Sequence, residues 1–371
     1  MKRLLALIVK EFLQLRRDRI TIRMIVMIPV IQTLIFGYAI NYDVKHLRTA
    51  VLDESRSYHS RELVSKLTAS EYFDVVKNVD SLAELRREID AGRVSVGLVI
   101  DRNYGKDRHR GAPARAFLVV NASDTVISSQ AMAIAGGVAS GLSVQTLAQR
   151  AGWKERQLPV DLRVRPWYNP DLRTANFIIP GLIAIILTFT LIQFTAMAIV
   201  RERERGTLEQ LQVTPVTRVE LILGKIIPFT IIGVFQLTMI TILMRFLFGV
   251  PIAGSVVQLY AAGLIFIAAV LGLGMLISTV ATTQMQAMQM SFFFLLPFVF
   301  LSGYVFPIDG MPKLFQYITY IIPAKYFIEV IRGIVLRGAS LRELWEPMAW
   351  LSFYTVAIIG LAVARFKKTA A

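Results

Sequence analysis

Six apolar runs, each near the roughly 20 residues a helix needs to cross a hydrocarbon core about 30 Å thick, constrain this chain more than any motif. They lie at Met24–Ile40, Phe177–Val200, Ile226–Phe248, Val257–Val280, Ala287–Phe306 and Pro347–Ala364. Inside lipid, backbone polar groups must be satisfied within the segment itself. The expected fold is therefore an α-helical polytopic membrane protein with six transmembrane helices. A hydrophobic share of 55% against 18% charged residues excludes an ordinary soluble domain. The first run is long for a signal-peptide core, and no small-x-small cleavage site follows at Tyr38–Asp43.

Between the first two runs lies a polar insert, 41–173, expected to form an inserted α/β extracytoplasmic domain. Arg48–Asp53, Tyr72–Val76, Val94–Ile100 and Ala114–Val120 read as strands, while Arg61–Leu67 and Ser81–Ala91 have helical spacing. Ser81-Leu-Ala-Glu84 is a capping box. Val126–Arg150, rich in Ala, Ser and Gly, reads as a long packing helix rather than a further span. The insert reads equally as an outer docking surface or gate and as a stabilising cap.

The net charge of +15 is mostly membrane-proximal. Residues 1–23 hold seven Lys/Arg against Glu11 and Asp18, and the tail 365–371 holds Arg365, Lys367 and Lys368 with no acid. The positive-inside rule then places both termini of the multi-pass chain in the cytoplasm and 41–173 outside. Two features run against this topology. The loop between spans five and six carries Lys313, Lys325, Arg332, Arg337 and Arg342, and the Ala281–Gln286 turn carries no charge. Residues 1–23 place Leu4, Leu5, Ile8, Phe12 and Leu15 on one helical face with Lys10, Arg16 and Arg17 largely off it, the pattern of a helix lying in the cytoplasmic interface. It would anchor to lipid headgroups, form part of a partner-binding surface, or both.

Chemistry within the chain has little to stand on. The spans hold no Asp, Glu, Lys or His; Arg245, near the end of span three, is their one ionisable group and is placed to snorkel. A proton- or sodium-coupled carrier would need ligands at mid-membrane, which disfavours secondary transport. The chain holds no cysteine, and His46, His59 and His109 lack metal-ligand spacing. Gly136–Ser143 approximates a phosphate loop, but Leu142 stands where lysine is required. No catalytic, metal or cofactor-binding residue is expected, so energy for uphill transport would come from a separate subunit.

A charged segment, RERERGTLEQLQVTP from Arg201 to Pro215, directly follows the second run. Glu202–Arg205 and Arg205–Glu209 have helical pairing distances, Leu208 and Leu211 make an apolar ridge, and Pro215 ends the helix. Thr217-Arg-Val-Glu220 is a second capping box, leading into span three. A short helix, a break and a restarted helix are expected; from composition alone the segment reads equally as an ordinary charged loop.

The stretch RERERGTLEQLQVTPVTRVELILGK, 201–225, resembles the segment that follows the second span of ABC-2 type transporter permeases. FPIDGMPKLFQYITYIIPAKYFIEVIRGIVLRG, 306–338, is similar to that family's block between spans five and six. The layout resembles the bacterial multidrug-type export permeases with a large domain between spans one and two. The resemblance implies a permease subunit moving amphipathic, drug-like or lipid-like substrate outward by alternating access, with ATP and Mg used by a separate ABC ATPase. It also implies a second permease, identical or sister, and leaves room for a periplasmic adaptor. By motif position, Arg201, Glu202, Glu204, Gly206, Thr207, Glu209 and Pro215 would couple to the ATPase, the acids facing its basic groups and Gly206 permitting a close approach or a bend. Pro307, Met311, Pro312, Pro323, Tyr326, Glu329 and Arg332, within an outer re-entrant segment 307–346, would close the outer end, with Glu329 and Arg332 spaced to pair. Gln193, Gln236 and Gln289 are candidates for the translocation face or for helix–helix hydrogen bonds. A non-transporting tether that recruits an outer partner through the insert is the alternative, and an ion-driven carrier ranks third.

Overall fold

The computed structural model describes residues 2–39, 46–120, 125–150, 168–169, 173–206 and 217–365. The chain forms two compact units, Met1–Asn41 with Pro166–Ala371, and Tyr42–Arg165. It opens with α1, Lys2–Arg17, and α2, Arg19–Ala39. Asp18 separates them and caps α2: its carboxylate accepts from the Thr21 backbone N–H at 3.0 Å and the Thr21 hydroxyl at 2.7 Å.

The inserted unit runs β1 (Leu47–Asp53), α3 (Tyr58–Ala69), β2 (Phe73–Asn78), α4 (Leu82–Asp90), β3 (Val96–Ile100), α5 (Tyr104–Arg110), β4 (Ala116–Val120) and α6 (Thr125–Arg150). Its four-stranded sheet has the order β2-β1-β3-β4. β1 pairs parallel with β2 and β3, and β4 closes antiparallel on β3. Alternation along β1 feeds two cores. Val51 packs with Leu63, Leu67, Ile100 and Leu142 on one face, while Ala50 and Leu52 pack with Val79, Leu85 and Val94 on the other.

The expected strands and helices recur within a few residues, but α5, ended by left-handed Gly111, was not among them. The Ser81 box is half made. Ser81 accepts from Glu84 N–H at 3.2 Å, but Glu84 reaches Asp80 N–H instead of closing on Ser81, because Lys77 draws its other oxygen at 2.8 Å.

The helical unit continues with α7 (Thr174–Glu204), α8 (Arg218–Ile242), a π turn (Leu243–Leu247), α9 (Val256–Val280) and α10 (Gln284–Leu301). Short helices α11 (Lys313–Thr319) and α12 (Pro323–Arg332) and a second π turn, Gly333–Arg337, lead to α13 (Trp345–Arg365). Among the described residues six helices, α2, α7, α8, α9, α10 and α13, are long and apolar enough to cross a membrane. Arg245 is exposed, in the first π turn.

Two of the six form the centre: 78% of the apolar window of α7 and 72% of that of α9 is buried, against 17% for α2 and α10. Their approach depends on Gly274, where an added Cβ would lie 2.9 Å from the Ile192 carbonyl oxygen and 3.0 Å from Thr195 Cβ. A backbone oxygen cannot rotate away. Gly274→Val is therefore expected to destabilise the bundle by about 1–3 kcal/mol, the usual cost of overpacking. Thermal denaturation followed by fluorescence-detected size exclusion measures it, and an unshifted midpoint would count against tight α7–α9 contact.

Candidate functional site

The last turn of α7 gathers the other elements at its end of the bundle. Pro180 stands in its first two turns without ending the helix, and α7 runs unbroken through Glu204. Gly206, at φ 68°, then terminates it in the left-handed region, where a side chain would be strained. The expected break thus falls at Gly206, and Arg201, Glu202 and Glu204 are part of the span-two helix. Thr207, Glu209 and Pro215, with Leu208 and Leu211, lie outside the described residues. Beyond them α8 restarts on its full capping box: Thr217 accepts from Glu220 N–H at 3.2 Å while Glu220 accepts from Thr217 N–H at 2.8 Å.

Glu202 is only 3% exposed, as burial within its own chain requires partners. Rather than pairing with Arg205, it meets Lys225 of α8 at 2.6 Å and also pairs with Lys10 of α1. Lys225 reaches Glu11 of α1 at 3.1 Å, and Lys10 lies 3.2 Å from Glu11. Among the described residues two lysines and two glutamates thus form a quartet whose own charges cancel, with Glu11 and Lys225 also buried. Burial works against the Lys10 ammonium, but hydrogen bonding and charge from Glu202, then Glu11, hold its pKa above the usual lysine value. Glu202 thus faces its own chain here, where the resemblance implied basic groups of another subunit.

The neighbouring residues make further ties. Arg201 donates to Asp18 at 3.0 Å and to the Gln284 side chain at 3.1 Å. Backbone and hydroxyl donation from Thr21, with Arg201 adding to it, keeps Asp18 below the usual carboxylate range. Arg203 donates to the Ala281 carbonyl at 2.8 Å, and Glu204 accepts from Gln284 N–H at 2.8 Å. One turn of α7 therefore holds α1, the start of α2, the start of α8 and the α9–α10 turn.

Lys10, Glu11, Lys225, Asp18 and Gln284 were not among the expected site residues. A signal existed for two of them: Glu11 interrupts the stripe Leu4, Ile8, Leu15, and Lys225 directly precedes the apolar run of span three, on the helix that Thr217 caps. Within α1 the protein-facing residues include Leu7, Glu11 and Gln14, while Leu5, Val9, Phe12 and Leu13 are exposed. Leu7 sits close enough to Gly224 of α8 that an added Cβ there would lie 2.9 Å from it. The expected apolar face is thus divided, with Leu5 and Phe12 outward.

The second residue group surrounds α12, which is buried against the central core. Pro323 opens it, and Phe327 stacks on Phe266 of α9 with ring centroids 4.2 Å apart. Tyr326 donates to the Tyr320 carbonyl at 2.9 Å. Pro307 and Met311 flank a 3-10 turn, and Pro312 precedes α11. Arg332 does not turn to Glu329, which is exposed. Its guanidinium donates to the carbonyls of Gly303 at 3.0 Å and of Phe177 and Tyr304 at 3.3 Å, and lies over the Phe177 ring. Three acceptors fixed in space match a planar fork better than one mobile carboxylate does.

The three glutamines part ways. Gln236 is fully buried, accepting from Thr190 at 2.8 Å and donating to the Ile25 carbonyl at 3.0 Å. It bonds helices together. Gln289 is exposed on α10, and Gln193 lines a cavity of about 400 Å³ beneath the quartet.

The family model described as ABC-2 family transporter protein matches residues 19–364, spanning every helix from α2 to α13. The chain belongs to the ABC-2 family. Among its ABC-2 relatives, the chain is 33% identical to a probable multidrug ABC transporter permease, YbhS, of Escherichia coli (strain K12), over 99% of this chain and 97% of that one. It is 32% identical to the probable multidrug ABC transporter permease YbhR of the same organism, over 99% and 98%. A third relative, the inner membrane transport permease YhhJ of Escherichia coli (strain K12), is 30% identical over 77% of this chain and 76% of its own. The six apolar helices accord with a multi-pass membrane protein of this family.

Proposed function

We propose that the chain is the membrane permease subunit of an ATP-driven ABC exporter of amphipathic, drug-like or lipid-like molecules. The permeases YbhS and YbhR, similar over nearly their full lengths, support the multidrug assignment. ATP and Mg are used by a separate ABC ATPase, and a second permease, identical or sister, completes the path, with a periplasmic adaptor as a further partner. Both termini lie in the cytoplasm of an inner-membrane protein, and the α/β unit lies outside.

The single observation that carries the mechanism is the place of Glu202. It lies in the last turn of α7, just ahead of 207–216, and it is bonded to both α1 and α8. A push on Thr207, Glu209 or Pro215 enters α7 through the bend at Gly206. Glu202 shares that displacement with α1 and α8, while Arg201 and Glu204 pass it to the α9–α10 turn. Short-range ion pairs between packed helices move as one body, so the inner ends shift together and access alternates. Such a cycle needs the ATPase to bind the two states differently. Pro307, Met311, Pro312, Pro323, Tyr326, Glu329 and Arg332 form the outer closure, and Gln193 and Gln289 remain candidates for the path.

The test is flux of a lipophilic fluorescent dye from proteoliposomes holding this chain with the ATPase that co-purifies with it. Flux is expected only with hydrolysable ATP, and alanine at both Thr207 and Glu209 should lower it without removing the permease from the membrane. Dye movement that survives omission of the ATPase and collapses with a proton or sodium gradient would overturn the proposal. Unchanged ATP-driven flux in the double variant would remove the coupling assignment alone.

A further inference from the structure

The cavity beneath the quartet lies within this one chain, between the α1–α2 elbow and the inner halves of α7, α8 and α10. At about 400 Å³ it is within the range of pockets that hold drug-sized molecules. Its walls divide by chemistry. Met24, Ile28, Phe194, Met197, Phe229 and Met288 make an apolar body. Glu11, Gln14, Asp18 and Arg201 supply the polar end, and Gln193 stands about 12 Å from Arg201 along α7, on the apolar side.

The charges at that end are committed to one another. Glu11 is held by Lys10 and Lys225, and Asp18 by Thr21 and Arg201. The side-chain amides of Gln14 and Gln193, in contrast, make no hydrogen bond among the described residues. A ligand with a net charge would have to break a pair or enter desolvated without a counter-charge, both costly. Uncharged hydroxyl, ester or amide groups can bond to the two amides with every ion pair left intact.

We infer that this cavity binds one uncharged amphiphile, its apolar body against the methionine and phenylalanine wall, its neutral head toward Gln14, and a neutral polar group further along its length, such as an ester, toward Gln193. It is thereby also a sensing site. Glu11, Asp18 and Arg201 belong both to the cavity and to the ties around the last turn of α7, so a bound molecule packs directly on the residues that hold the coupling end. Occupancy biases the bundle toward whichever arrangement of that end closes best around the ligand. The sensing half rests on the proposed ATPase-driven function; the binding half does not.

The probe is radiolabelled monoolein, an uncharged single-chain amphiphile, with oleate and oleylamine as charged congeners of equal chain length. Saturable binding to the full-length chain with its co-purified ATPase is expected, with the congeners at least about fivefold weaker. Ala198→Trp, which fills the cavity from α7, should weaken monoolein binding about tenfold or more, and Gln193→Leu about fivefold. Ala198→Phe is the smaller blocker if the tryptophan variant does not assemble. Monoolein should stimulate ATP hydrolysis by the wild-type complex and not by the blocked one. Binding equal in wild-type and blocked chains, or equal affinity for the charged congeners, overturns the assignment. Monoolein binding that Ala198→Trp abolishes, with no stimulation of ATP hydrolysis in the wild-type complex, would support the cavity and overturn the sensing half, so the two fail separately.

Discussion

Glu202→Gln is expected to cost about 3–5 kcal/mol of bundle stability and to release α1, although glutamine occupies nearly the same volume. The substitution leaves Lys225 buried with only Glu11 as counter-charge, and leaves Lys10 with the same single acid to share. A net positive charge then remains where the native quartet has none. Chain segments will move to bring water to it, and of the three helices that the quartet joins α1 has the largest exposed share, so it moves first. Thermal midpoints from fluorescence-detected size exclusion measure the loss, and amide hydrogen exchange over residues 2–17 reports the release. Combining Glu202→Gln with Lys225→Gln removes one charge of each sign and should recover part of the stability, with a coupling energy of about 1–3 kcal/mol. If the single variant melts like wild type and α1 stays protected, the quartet is not what holds α1.

The second large effect is expected at Arg332. Arg332→Ala should cost about 3 kcal/mol, because charge-assisted bonds to three carbonyls are lost and those oxygens are left without their donor. Those carbonyls belong to the start of α7 and to the segment just past α10, so one side chain of α12 joins three pieces of chain. Arg332→Lys should recover little of this. An ammonium is a point charge and cannot present a planar fork to Phe177, Gly303 and Tyr304 while stacking on the Phe177 ring. Glu329→Gln, by contrast, should fall within about 0.5 kcal/mol of wild type, since that side chain is exposed. The three midpoints are read in one detergent; a lysine variant as stable as wild type, or a glutamine variant as unstable as alanine, would refute this account.

Several features were legible in the chain because each arises from a local pattern. Long apolar runs, the 201–225 and 306–338 motifs, the Thr217 cap and the strand alternation of the insert involve residues close in sequence. The helix ends were less so. Glu202 falls outside the expected second span, which stops at Val200, yet α7 carries it. Hydropathy stops at a charge, whereas a helix continues for as long as its backbone bonds and side-chain partners allow.

Glu202 and Arg332 also show where local spacing misleads. Each had an opposite charge at helical distance, Arg205 and Glu329, and each instead bonds to residues far along the chain. A pair on an exposed helix face contributes only about 0.2–0.5 kcal/mol, too little to hold a side chain against better partners elsewhere. Gln236 behaves likewise, its amide divided between Thr190 and the Ile25 carbonyl. Periodicity and motif were enough to name the membrane class and the family. The partners of their polar groups follow from which helices pack together, because a group taken out of water bonds to whatever donor or acceptor the packing brings within about 3 Å.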